Sequence, residues 1–162
     1  MNTLLQKSLL LSVLALLAST FACATGTVTP NFNNFKVTSF YQGAPAQAVI
    51  KTDDEKTFRT RLRESAKQPV NFAGQHVLTT WGCGTGCLYG AAINQRTGVV
   101  TFLPGTISGW QGQGERVMFH RNSRLLMLAG VIDEGEEHGL HYYELVNDRF
   151  THVSTIPVPS QQ

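Results

Sequence analysis

Cys83 and Cys87, in residues 79–90 (TTWGCGTGCLYG), are the side chains of this sequence whose type and spacing most directly suggest chemistry. Two thiols separated by three residues can serve as nucleophile, metal clip, redox couple or structural disulfide. A cysteine nucleophile needs a histidine base, and His76 is the nearest in sequence. A thioredoxin-like couple needs Cys-x-x-Cys at a helix start, whereas the spacing here is Cys-x-x-x-Cys and no helical pattern follows. Zinc needs further ligands at readable spacing, and the five histidines are scattered over expected strands and loops. A disulfide closing the tip of a β-hairpin is the leading reading, because Gly84 and Gly86 supply the backbone freedom of a tight turn. Closing so short a loop contributes roughly 2 kcal/mol, less any strain in the bridge.

The start of the chain supports that reading through the compartment it implies. Lys7 precedes an apolar run over residues 9–18 broken only by Ser12, the pattern of a secretory signal peptide and too short for a membrane span. Cleavage after Ala24, at Ala22-Cys23-Ala24, removes residues 1–24; a less favoured alternative makes Cys23 a lipid anchor, with Thr20 where a lipobox has leucine. The mature chain has roughly 140 residues, which suits one domain with a single core. Cys83 and Cys87 are then an even pair in a periplasmic or secreted setting, where disulfides persist. The formal net charge is only +2, which gives no reason to expect nucleic acid or an anionic membrane as partner. No later apolar stretch is long enough to span a bilayer.

Other clusters carry weaker signals. Residues 133–139 (DEGEEHG) gather four carboxylates and a histidine, which reads as a solvated hairpin tip because the ligand order of a calcium loop is missing. His138 and His141 fall on opposite faces of a strand and make no ready ligand pair. Arg59, Arg61, Arg63 and Lys67 form a basic helical face, for which solvation is the default. Trp81, Tyr89 and Trp110, with Tyr142 and Tyr143, offer amphipathic rings of the kind that anchor interfaces. The candidate contact residues are therefore Trp81, Thr85, Tyr89 and Trp110, with Trp110 favoured because its glycine-rich loop offers no obvious packing partner. No residue is given a catalytic or metal-binding role, and no cofactor is expected.

The elements that position these residues follow from pattern. Residues 25–50 read as an extended segment, with a short strand over 37–41. Residues 51–67 predict one helix, opened by Thr52 and Glu55 as a capping box, striped by Phe58, Leu62 and Ala66, and closed by Pro69. Short Val-, Ile- and Thr-rich segments then alternate with turn residues: 77–81, 89–93, 99–103, 116–120, 125–132, 140–146 and 150–156. Residues 105–115 read as a loop without an element of its own. The expected fold is α+β and mainly β, one helix followed by an antiparallel β-meander, as a small sheet or a partial-barrel or propeller-blade-like arrangement. A closed propeller needs a longer chain. Residues 51–158 form the single domain.

The combination Asn71-Phe72-Ala73-Gly74, Trp81-Gly82-Cys83-Gly84-Thr85-Gly86-Cys87 and Gly90-Ala91-Ala92 resembles a group of small secreted bacterial proteins to which no chemistry is assigned. The resemblance covers roughly residues 52–105 and implies an exported bacterial protein. The expected function is that of a binding or inhibitor-type module acting on another periplasmic or extracellular protein. A cysteine-dependent enzyme using Cys83 or Cys87 with His76, and a metal-binding protein, are the alternatives.

Overall fold

The computed structural model describes residues 28–159, so the expected signal peptide and Cys23 lie outside the described residues. The turn-punctuated segments after Asn71 form one open sheet of eight antiparallel strands. They are β1 (His76–Gly84), β2 (Cys87–Asn94), β3 (Val100–Phe102), β4 (Ile107–Ser108), β5 (Val117–Phe119), β6 (Leu125–Ile132), β7 (His138–Val146) and β8 (Arg149–Pro157). Their spatial order is β1-β2-β4-β6-β7-β8, with β3 also pairing β2 and β5 also pairing β6.

The expected single helix is two short ones, α1 (Asp53–Thr57) and α2 (Arg59–Ser65). The Thr52–Glu55 capping box is present: each side chain accepts from the other residue's backbone N–H. The break falls at Phe58, whose ψ is 12°. There the ring packs on Trp81 at 4.9 Å and meets Tyr89 and Phe102 edge-on. The aromatic contact thus coincides with the point where helix geometry is lost.

Residues 37–41 form no strand. The N-terminal segment instead makes a 3₁₀ turn at Phe32–Phe35 and is tied to turns of the sheet by backbone bonds, among them Val37 N–H to the Asn122 carbonyl and Tyr41 N–H to the Gly74 carbonyl. The 105–115 loop also differs from expectation, because it contains β4. Ile107, fully buried, pairs with Leu88 on one side and Ile132 on the other, so two residues join β1–β3 to β5–β8.

Side-chain alternation divides the core into three clusters. Leu78, Ala92, Leu126, Leu128 and Leu145 meet Phe72 and Ile107 on the face common to both halves of the sheet. Trp81, Ala91 and Ile93 lie on the opposite side of β1 and β2 and are covered by Leu62 and Ala66 of the helical segment. Leu125, Met127, Ala129 and Tyr142 are covered by Phe32, Phe35 and Trp110. Burying one such leucine fully is worth about 1.5–3 kcal/mol, so each covering segment is held by a few side chains.

Asn71 guards the outer edge of β1. Its side chain accepts from the Leu78 N–H at 2.7 Å and donates to the Leu78 carbonyl at 3.0 Å. One amide therefore takes the place of a neighbouring strand at that point.

Candidate functional site

The β1–β2 hairpin carries the cysteines at its tip. The strands stay in register through Trp81–Tyr89 and Gly82–Leu88, then a bulge brings Gly84 opposite Cys87. Gly84 and Gly86 adopt φ of 141° and 69°, conformations costly for other residues. Cys83 and Cys87 lie at disulfide distance, with their Cα atoms 5.1 Å apart, within the range such a bridge requires. Arg116 donates from Nη1 to the Gly86 carbonyl at 2.6 Å, tying the tip to the loop ahead of β5. Residues 82–86, Thr85 among them, are all exposed.

Trp81 and Tyr89 stand behind this tip rather than on a contact surface. Trp81 is 5% exposed, packed between Phe58 and Tyr89. Tyr89 is half-buried and stacks in parallel on Phe102 at 5.5 Å. Burial pushes its hydroxyl pKa above the usual tyrosine value, and the charges of Asp54 and Asp133 add to that effect. The two rings thus anchor the hairpin.

Trp110 also differs from expectation. It is half-buried rather than free in its loop, and its ring stacks on His138 with centroids 5.5 Å apart. With Phe32, Met118, Met127, Leu140 and Tyr142 it walls an apolar cavity of about 450 Å³. Glu115, at the rim of that cavity, directly precedes the Arg116 that holds the hairpin tip.

The cysteine–histidine enzyme reading fails on distance. His76 and Cys83 sit near opposite ends of the nine-residue β1, about 23 Å apart along a strand that rises ~3.3 Å per residue. His76 is engaged elsewhere: its Nε2 lies 2.7 Å from Asp148 Oδ1, and Asn94 Nδ2 donates to the same carboxylate at 2.9 Å. Burial lowers the His76 pKa from its ordinary value, while the hydrogen bond and charge of Asp148 act in the opposite direction. A neutral ring donating from Nε2–H to the carboxylate fits both observations. Sequence reading missed this pair because 72 residues separate the partners. The turn residues Asn147 and Asp148, both at positive φ, were the visible part of the signal.

His138 and His141 lie on opposite faces of β7, as their spacing predicts. His138 Nδ1 meets the Val158 carbonyl, whereas His141 places Nε2 against the Gly130 carbonyl and Nδ1 against the Thr155 hydroxyl. The 133–139 acidic loop spends one carboxylate on structure, since Asp133 Oδ1 accepts from the Thr106 N–H at 2.7 Å. Among the described residues no three His, Cys, Asp or Glu side chains converge as a metal site. No helix among them is long and apolar enough to cross a membrane. No protein-family profile, curated protein or solved structure matches the chain.

Proposed function

We propose that this protein is an exported binding module that engages another protein outside the cytoplasm through the stapled tip, residues 82–86. The observation that carries this reading is the contrast between tip and stem. Five consecutive residues are exposed, while Trp81 at the base is 5% exposed and the tip is tied by a cysteine bridge and by Arg116. A loop ordered before contact loses less conformational entropy on binding, and that loss ordinarily weakens loop-mediated recognition. Thr85 at the apex offers a hydroxyl between glycines, so a partner meets mostly backbone and the disulfide. Export is supported by the apolar N-terminal run and by the cysteine pair.

The test has two steps. The intact mass of the chain recovered from the producing bacterium's exported fraction should correspond to a start at Thr25 with both thiols blocked until reduction. A photo-crosslinker placed at Thr85 should then yield a discrete protein adduct, absent with the crosslinker at exposed Thr60 and lost in a C83S/C87S chain. Free thiols, or equal adducts from positions 60 and 85, would overturn the proposal.

A further inference from the structure

A second cavity, of about 330 Å³, lies between residues 45–47 and the end of α2. Its apolar walls are Pro45, Ala46 and the 2%-exposed Ala66; its polar rim is Gln47, Arg63 and Lys67. Both walls are pinned to one buried residue, Gln95. Its backbone carbonyl accepts from the Ala46 N–H at 2.8 Å, and its side-chain Nε2 donates to the carbonyls of Ala66, at 3.0 Å, and Gln68. The cavity is therefore held open by the fold rather than left by loose packing.

Arg63 and Lys67, one helical turn apart, repel each other across this opening. Among the described residues neither is paired with a carboxylate; the ion pairs are Lys56–Asp53, His76–Asp148 and Arg124–Glu144. Cations at the end of a helix ordinarily complement its free carbonyls. Here the carbonyls of Leu62, Glu64, Ser65 and Ala66 already accept from Ala66, Lys67, Gln68 and Gln95. The two charges are thus left for something outside the chain. We propose that this cavity binds a small organic anion, a phosphate ester or a carboxylate, with Arg63 and Lys67 holding its charged end and Pro45, Ala46 and Ala66 receiving its apolar body. The volume is at the lower end of small-ligand pockets, which suits a body about the size of one ring.

The probes are phenyl phosphate, phenylacetate and benzyl alcohol, titrated into the mature chain at low ionic strength by calorimetry and amide chemical shifts. At least one anion should bind and move the resonances of residues 45–47 and 63–67, and benzyl alcohol should bind at least tenfold more weakly. A chain carrying both Arg63→Gln and Lys67→Gln should lose about tenfold or more in affinity, as expected for charge-assisted hydrogen bonds. Arg61→Gln, which removes one positive charge of the same helix outside the cavity, should change binding less than twofold. Whichever anion binds more tightly names the source. Absence of binding by both anions, shifts elsewhere on the surface, or equal losses in the Arg61 and Arg63/Lys67 variants overturn the proposal.

Discussion

The His76 imidazole uses one ring nitrogen and leaves the other, Nδ1, buried without a partner. Protonation would add a second buried donor with nothing to receive it, which matches the downward direction of its pKa. The sign of the pH dependence follows. Above the unfolded value of 6.5 the ring is neutral in both states and contributes no slope. As pH falls below 6.5, the unfolded chain takes up the proton first, so stability decreases until the lower folded pKa is passed. His76→Gln should lower stability at pH 7 by about 1–3 kcal/mol through loss of the Asp148 contact. It should also flatten the decline between pH 7 and 5. Urea unfolding of both chains at the two pH values measures this; an unchanged pH slope in the variant would remove His76 as its source.

At the scale of elements, the edge of β1 depends on a side chain rather than a strand. Asn71→Ala leaves the Leu78 N–H and carbonyl without partners on a residue 3% exposed, a loss of about 2–3 kcal/mol. Asn71→Asp keeps the acceptor for the Leu78 N–H and should fall between the two. Urea midpoints should rank in that order with little change in slope, and an Ala variant as stable as the parent would show the edge to be covered by other groups. The same elements show what pattern alone conveys. The capping box, the hairpin around the cysteines and seven of the eight strands follow periodicities of three to four or two residues, which a linear reading detects. The break at Phe58 and the two-residue β4 do not, because the first coincides with rings from three distant positions and the second is shorter than any period.

At the scale of the molecule, the placing of aromatic residues was the least legible feature. Trp81 and Trp110 both stand next to glycine, yet one is core and the other half-buried against His138. Neighbours in sequence do not decide this; the covering segments do, Phe58 of the helical segment over Trp81 and the irregular stretch around Phe32 beside Trp110. The candidate site divided along the same line. The cysteine pair was readable because the spacing of two cysteines around two glycines is a local feature. The Gln95 anchor was not, since it gathers residues 46, 66 and 68 around a turn that reads only as Asn-Gln-Arg-Thr-Gly.

The two-residue β4 gives this sheet a seam. Gly130 lies opposite it at a φ of 135°, and a Cβ there would meet the Ser108 carbonyl, so β6 can approach β4 only because that position has no side chain. On either side of the seam the pairings join segments close in sequence: β1 with β2 and β2 with β3 on one side, β5 with β6, β6 with β7 and β7 with β8 on the other. Each half can therefore zip up independently, whereas the seam requires both to be in place. Native-state hydrogen exchange should find the Ile107 and Ser108 amides opening at lower free energy than those of Leu126 and Leu128, with both halves still protected. Uniform protection across all four amides would mean that the sheet opens as one unit. The strand pairing of this sheet thus has a weak line fixed by a single glycine, bridged by the shared core and by the contacts that His76, Asn94 and Thr101 make with Asp148.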